Sequence, residues 1–346
     1  MSQDLLNTYV IGFDRSIRET VEVNGGKLRP YIMLATGDLY RKEGVYQRTT
    51  GGGLPQVVTN RFGDSPISEL DYSRRRTSRI AYQDGQFMDW ADLSKMGVDP
   101  RNAKLTAMKN KFLRQEDIII DQAMLGSANT TDLETSATSV TLSNAVSSIS
   151  DGTTAVTEGF TYSKFLQALA QFGNNNVDVE NLAPVFKISW TQWQEMMADD
   201  NFINFDYTAH RSLDTDAGKI YDYMGAKFCI SNIIPYFSAN TCSVGNGISS
   251  VGDLKIANSD VDTAKGTWTK VDVSVTEGET TTDYNFRAVY AFAPSASLFE
   301  VNPDMTTKVS ERADKGFNYY AYMKAEFGAV RMEEEKVVVI PCRSLA

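Results

Sequence analysis

Alternating apolar and polar positions near the end of the chain predict β-structure there. Between Asn318 and Phe327 one side of the alternation is apolar, which is the period of a strand with one buried face. Gly328 is expected to allow a bend, and the acidic run at 333–335 is expected to form a solvated turn. The β-branched run at 337–340 is typical of a buried strand. We therefore expect the chain to end in a sheet.

A helical period covers residues 100–125. Asp99 is a good N-cap residue, Pro100 suits the first helical position, and Gly126 ends the pattern. About 26 residues at ~1.5 Å each predict a rod roughly 39 Å long. Glu116 interrupts an apolar stripe that otherwise consists of Leu105, Met108, Phe112, Ile119 and Ala123.

Two shorter helices with a short strand between them follow. The first stops at Gly173, and the second begins with a capping-box pattern at Ser189, just after the strand at 185–188. The apolar face of the first helix consists of Phe165, Leu166, Leu169 and Phe172. Further strand patterns lie at 73–86, 140–142, 225–235, 271–275 and 284–294. The sequence therefore predicts an α+β fold.

Polar stretches rich in glycine, serine and threonine separate these elements. Residues 1–40 have few periodic runs, so we expect an arm that lies on neighbouring molecules instead of a core element. The glycine-punctuated segment at 41–92 is too long and polar to suit a compact domain. Residues 127–158 are expected to form a surface loop or an inserted hairpin, and residues 238–283 a β-rich, surface-exposed insertion.

The charge of the chain is acidic and unevenly distributed. Its 346 residues carry a net charge of −10, to which residues 1–126 contribute +2 and residues 127–346 contribute −12. Sequence-specific binding of nucleic acid needs clustered positive charge and is therefore disfavoured. At this length we expect two subdomains or an elongated body. The sequence has no leader pattern and no apolar run of ~20 residues, so we expect cytoplasmic synthesis and no membrane partner.

Candidate chemistry is sparse. The single histidine, His210, has no nucleophile or orienting partner close in sequence, and the three cysteines are expected to be buried thiols. No phosphate-binding loop, nucleophile elbow or zinc-protease helix motif occurs. Acidic clusters at 199–200, 214–216 and 333–335 match a calcium loop only in part and are interpreted as solvated charge. We expect no catalytic residues, no cofactor and no metal.

The end of the chain, together with residues 221–235, resembles the major capsid proteins of tailed bacteriophages, which have the Hong Kong 97 fold. The resemblance is carried by KGFNYYAYMKAEFGAVRM at 315–332, VVVIPCR at 337–343, and YDYMGAKF and SNIIP within 221–235. It covers most of the chain in element order. The divisions it implies are an N-terminal arm at 1–40, an E-loop at 41–92, a peripheral domain at 93–159 with a spine helix at 100–125, an axial domain at 160–295 with the insertion at 238–283, and terminal peripheral strands at 296–346 with a P-loop at 309–317.

The resemblance also implies a function and partners. Copies of the chain would assemble in the host cytoplasm into pentamers and hexamers of an icosahedral virion head around double-stranded DNA, which they would contact non-specifically at most. A separate scaffolding protein, or none, is implied, because forty residues before the E-loop cannot hold a built-in scaffold. A portal and decoration proteins are further implied partners. Opposite charges on the E-loop, the P-loop and neighbouring subunits would pair. The expected subunit contacts are Arg74, Arg75, Arg76, Arg79, Glu311, Arg312, Asp314 and Lys315.

Some members of the family lock the shell through a covalent link between an E-loop lysine and an asparagine of another subunit. This chain has no lysine between Lys42 and Lys95, and an arginine is not a nucleophile under ordinary conditions. We therefore predict a shell without E-loop crosslinks. Two other hypotheses stay open: a soluble cytoplasmic enzyme whose carboxylate site is assembled from dispersed residues, and another virion structural protein such as a tail component.

Overall fold

The computed structural model describes residues 25–35, 43–50, 70–89, 101–130, 159–199, 222–237, 254–277, 280–302 and 304–345, and also residues 23, 54–55, 57, 138–140, 142, 202, 213–214 and 219–220. Within these ranges the helix predicted at 100–125 is confirmed as α1 (Arg101–Leu125), and the two shorter helices are α2 (Tyr162–Asn174) and α3 (Trp190–Ala198). None of these helices is long and apolar enough to cross a bilayer.

The described residues also form 21 strands. They are β1 (Met33–Leu34), β2 (Glu43–Thr50), β3 (Asp71–Ser78), β4 (Ile80–Met88), β5 (Ala128–Thr130), β6 (Thr138–Val140), β7 (Val185–Ile188), β8 (Leu213–Asp214), β9 (Lys219–Ile220), β10 (Asp222–Tyr223), β11 (Ala226–Ile230), β12 (Tyr236–Phe237), β13 (Leu254–Lys255), β14 (Val261–Asp262), β15 (Thr267–Trp268), β16 (Asp272–Glu277), β17 (Thr280–Phe292), β18 (Ser297–Val301), β19 (Thr306–Arg312), β20 (Asn318–Arg331) and β21 (Val337–Leu345).

An eight-stranded sheet centred on β17 is buried on both faces. Its order is β10-β11-β7-β17-β12-β13, and β16 and β21 also pair with β17. Because side chains alternate along a strand, Val289 and Ala291 pack with α2 and α3, while Tyr290 and Phe292 point into the core that includes α1. The sheet is therefore the middle layer between α2 and α3 on one side and α1 on the other.

A five-stranded sheet centred on β20 packs on α1. Strands β18 and β19 pair along one side of β20 and β4 along the other, and β1 pairs in parallel with β18. Ala321, Met323, Ala325 and Phe327 are buried in the core with α1, which confirms the predicted period of two. The bend expected at Gly328 is wrong, because β20 continues through it. A Cβ there would lie 3.0 Å from the Ser78 carbonyl oxygen, so the glycine permits a close approach of two strands.

Part of the predicted N-terminal arm belongs to the subunit's own core. Leu28 is fully buried, and the backbone N–H groups of Lys27 and Leu28 donate to Asp117 on α1 at 3.3 and 3.2 Å. A side chain at Gly25 would collide with the backbone of Arg114, so the glycine lets the segment lie directly on the helix. The expectation that residues 1–40 avoid the core is therefore wrong for residues 25–35.

Three local expectations also change. The strand pattern at 73–86 is divided at Arg79 into β3 and β4, which pair in two different sheets. The insertion at 238–283 is not entirely surface-exposed, because Trp268 is only 4% exposed and reaches the core beside α1. Leu166, expected on the buried face of α2, is 38% exposed, whereas Lys164 and Ala168 are buried instead.

The predicted burial of the cysteine thiols is confirmed for the two cysteines that the structure describes. Cys229 and Cys342 are free and buried, and burial raises their pKa to about 11 and about 12. Cys242 and His210 lie outside the described residues.

Candidate functional site

Two hairpins carry the residues that were predicted to contact neighbouring subunits. The first, named here the arginine hairpin, consists of antiparallel β2 and β3, with Glu43 opposite Ser78 and Thr50 opposite Asp71. The second, named here the tyrosine hairpin, consists of β19 and β20, which are joined by a short 3-10 turn. All eight predicted contact residues lie in these hairpins or directly beside them.

The alternation of side chains gives the arginine hairpin two different faces. Tyr46 and Arg75 are cross-strand partners, so they share one face, and Arg48 lies on that face two residues from Tyr46. Arg74 and Arg76 point to the opposite face. Residues that form one basic run in the sequence therefore occupy two separate environments.

The inner face of the arginine hairpin is bound to the subunit's own acidic turn. Arg75 is buried, and its NH2 group donates to both oxygens of Glu334 at 2.9 Å. Arg48 lies 3.1 Å from Glu334 and 3.5 Å from Glu335. The expectation of a solvated turn at 333–335 is wrong for Glu334, which is only 12% exposed because these arginines cover it.

A second carboxylate anchors the base of the same hairpin. Glu300 on β18 is buried, accepts a hydrogen bond from the Tyr46 hydroxyl, and lies 3.9 Å from the Nε of Arg79. A side chain at Gly44 would collide with the Glu300 carboxylate, so β2 passes directly over it. Arg75 and Arg79 thus form ion pairs with carboxylates of their own subunit.

The outer face of the arginine hairpin is more exposed. Arg76 pairs with Glu43 inside the hairpin, and Arg74 lies on the same face. Val45 and Tyr72 are exposed beside them, Tyr72 to 68%. For Arg74 and Arg76, contact with a neighbouring subunit stays a prediction.

The turn of the tyrosine hairpin is charged and exposed. Arg312 binds Asp314 with two parallel hydrogen bonds of 2.9 and 2.8 Å, which lower the pKa of Asp314 to about 2. Glu311 and Lys315 are exposed beside this pair, and Phe317 adds an exposed apolar side chain. Contacts of these residues with other subunits also stay a prediction.

Pattern reasoning missed a buried acidic cluster on α1. Asp121 is fully buried and accepts hydrogen bonds from three other elements: Lys187 on β7 at 2.6 and 2.9 Å, Tyr290 on β17 at 2.5 Å, and Trp268 on β15 at 3.0 Å. One carboxylate therefore joins α1, the eight-stranded sheet and the described part of the insertion.

A second buried acid, Glu116, links α1 to the N-terminal segment. Its Oε1 lies 3.2 Å from Arg29, whose other amino group lies 3.0 Å from Asp304. Burial raises the pKa of Glu116 to about 7, against the opposing effect of Arg29. The signal for this residue was present in the sequence, because Glu116 interrupts the apolar stripe.

The described residues contain no group of three or more histidine, cysteine, aspartate and glutamate side chains that could hold a metal. A cavity of about 310 Å³ between α1, β4 and the β14–β15 hairpin has one carboxylate in its lining, Asp84, and Lys111 pairs with it at 2.8 Å. The enzyme hypothesis therefore gains no support from the described part of the chain.

Comparisons with known proteins point in one direction. A family model described as phage capsid protein matches residues 5–344. The solved capsid of Helicobacter pylori bacteriophage KHP30 is similar over 98% of this chain and 96% of its own, with 11% identity and a TM-score of 0.63. The capsid of cyanophage P-SCSP1u is similar over 96% and 92%, with 12% identity and a TM-score of 0.62. The comparison with curated proteins found no match.

Proposed function

This chain belongs to the phage capsid protein family, and we propose that its copies assemble as pentamers and hexamers into an icosahedral head that encloses double-stranded DNA. Its α+β fold is Hong Kong 97-like, and its place is the capsid shell of the virion. The proposed assembly is supported by the arginine hairpin, which binds its own subunit with one face and carries Arg74, Arg76 and Tyr72 on the other.

A contact between different patches of two identical chains is heterologous, and such contacts close into rings when the rotation fits. The outer face of the arginine hairpin and the exposed turn of the tyrosine hairpin are separate patches that suit this arrangement. Many weak contacts of this kind add up in a closed shell. We assign the arginine hairpin to the E-loop, α1 to the spine helix, the tyrosine hairpin to the P-loop and the eight-stranded sheet to the axial domain.

Electron microscopy of the purified protein, combined with sedimentation, tests the assembly proposal. Closed shells, or sheets of five- and six-membered rings, are the expected result. Open tubes or isolated rings would favour a tail component instead. A compact monomer under all conditions, including coexpression with candidate scaffolding proteins, would overturn the proposal and return the enzyme hypothesis.

We further propose that the shell carries no E-loop crosslinks, because residues 43–94 contain no lysine. On a denaturing gel of boiled mature particles, the shell protein should run at the mass of one chain, with no bands at multiples of that mass. A ladder of covalent oligomers would contradict this proposal without affecting the proposal of assembly.

A further inference from the structure

Arg331 is a fully buried arginine at the point where α1 ends. Its guanidinium donates to the carbonyl oxygens of Met124 at 2.8 Å, of Gly126, and of Val140 at 3.0 Å. Carbonyls at the C-terminal end of a helix lack partners inside the helix and carry partial negative charge. Arg331 is therefore held in place by the end of α1 and by β6.

Glu334 follows three residues later and lies between this fixed arginine and the arginine hairpin. Its Oε1 is 3.5 Å from the Nε of Arg331, and its carboxylate is 2.9 Å from Arg75 and 3.1 Å from Arg48. One carboxylate thus separates three guanidinium groups, two of which are buried. Burial lowers the pKa of Arg331, and the charge of Glu334 opposes that shift.

Apolar packing beneath the arginine hairpin is limited. In the described part of the chain, Tyr46 is the one residue of β2 or β3 that packs against the small cluster of Ala128, Leu298 and Val330. Two other attachments lie at the base: β3 pairs with β5 where Arg76 lies opposite Asn129, and Tyr46 and Arg79 contact Glu300. Above this base the inner face of the hairpin is held by charge, because Glu334 binds Arg75, which lies opposite Tyr46, and Arg48, which lies two residues farther along β2.

We propose that Glu334 is the positioning residue that fixes the angle of the arginine hairpin on the subunit, and that Arg331 ties this angle to the end of α1. Without the carboxylate, three guanidinium groups would face one another across a partly buried gap and repel. The pairing with β5 and the contact with Glu300 would remain, so the hairpin would stay attached and swing about its base. The consequence for shell geometry rests on the proposed function, whereas the joint itself does not.

Distance measurements on the full-length subunit test the joint. Spin labels are placed at Tyr72→Cys on the hairpin and Leu166→Cys on α2, both exposed sites, after Cys242 is replaced by serine. We expect one narrow distance distribution for the otherwise unchanged chain and at least a doubling of its width for Glu334→Gln. Glu335→Gln is the matched control, because Glu335 is 42% exposed and contacts only Arg48 among the hairpin arginines, at 3.5 Å.

Equal widths for Glu334→Gln and Glu335→Gln would overturn the proposal. If Glu334→Gln fails to fold, as judged by circular dichroism, Arg48→Gln takes its place, since it removes the contacts of Arg48 with Glu334 and Glu335 and leaves the buried Arg75–Glu334 pair. It should give a broader distribution than Glu335→Gln, which removes only the contact with Glu335. Arg331→Lys keeps a positive charge but loses the fork that reaches three carbonyls. A narrow distribution for Arg331→Lys would overturn the link to α1.

Assembly provides a separate readout. Glu334→Gln should give open sheets or shells of several sizes where Glu335→Gln gives uniform shells. If neither the unchanged chain nor Glu335→Gln forms shells, with or without candidate scaffolding proteins, the proposed function fails, and the distance measurements still decide the joint. Uniform shells from Glu334→Gln, together with a broadened distribution, would show that the joint does not control shell geometry.

Discussion

Replacing Asp121 with asparagine tests how strongly the buried cluster on α1 holds the subunit together. The substitution keeps the shape of the side chain but removes its charge and turns one acceptor oxygen into a donor. Lys187, which is fully buried and 2.6 Å from the carboxylate, would then lose its hydrogen-bonded counter-charge. The more distant Asp117 carboxylate and the Tyr290 ring, 5.7 Å away, would remain. Breaking a buried ion pair in this way costs about 3–5 kcal/mol.

Urea unfolding of the dissociated subunit, followed by far-ultraviolet circular dichroism, measures this loss. Asp84→Asn is the matched control, because Asp84 likewise pairs with a lysine, Lys111 of α1, but this pair is half-exposed. An exposed pair contributes roughly 0–1 kcal/mol, so the control should change stability little. Asp121→Asn should therefore lower the free energy of unfolding by at least about 2 kcal/mol more than Asp84→Asn.

A double-mutant cycle separates the ion pair from the neighbouring hydrogen bonds. Lys187→Met removes the cation and leaves Asp121 with its hydrogen bonds from Tyr290 and Trp268. Combined with Asp121→Asn, it should cost about 2–3 kcal/mol less than the sum of the single changes. Additive costs, or a loss below about 1 kcal/mol for Asp121→Asn, would refute the argument that this pair joins α1 to the sheet.

Three further predictions follow from burial and close packing. Because burial raises the pKa of Glu116 from 4.5 to about 7, the folded state binds the proton more tightly, so the contribution of Glu116 to stability should fall by about 3 kcal/mol as pH rises from about 4.5 to about 7. The difference in unfolding free energy between the wild-type protein and Glu116→Gln, measured in urea, should change by that amount over the same range. Gly328→Ala, which places a methyl group 3.0 Å from the Ser78 carbonyl oxygen, should cost about 1–3 kcal/mol in the same assay, and an unchanged stability would contradict the close-approach argument. With Cys242 replaced by serine, the remaining thiols are Cys229 and Cys342, and both are buried. The native protein should therefore not react with a thiol reagent until it is unfolded; reaction in the native state would contradict that burial.

Local patterns predicted the elements of this fold well where one chain segment determines its own structure. The period of two in β20 and the helical period of α1 are properties of consecutive residues, and both elements appear where they were predicted, although β20 continues past Gly328 to Arg331. The capping box at Ser189 is equally local, and the Ser189 N–H donates to Gln192 at 3.2 Å. Sequence alone was sufficient for these features because their hydrogen bonds and faces are set within a few residues.

The role of each arginine on β3 could not be predicted in this way. Alternation implies that Arg75 faces away from Arg74 and Arg76, but it does not say which face meets the body. The partner of Arg75 is Glu334, 259 residues later in the chain. The basic run at 74–76 was therefore expected to pair with acidic residues of a neighbouring subunit, and the acidic run at 333–335 to be solvated. In the structure, Arg75 and Glu334 from these runs pair within one subunit.

Three buried acids lie on the face of α1 that packs against the rest of the subunit, where apolar residues are usual, and each of them has a specific partner. Glu116 meets Arg29, Asp117 meets the backbone of the N-terminal segment, and Asp121 meets the eight-stranded sheet. Apolar contacts are not directional, so the residues between them, Ile118 to Ile120, fix the register of α1 less strictly than the acids, which would lose their hydrogen-bond partners after a slip of one turn, about 5.4 Å. We therefore expect Asp121→Leu with Lys187→Met to be more stable than either single variant, although Tyr290 and Trp268 lose their acceptor, and to show heterogeneous hydrogen exchange along α1. Uniform, wild-type-like exchange in that variant would mean that Asp121 is not needed to set the register.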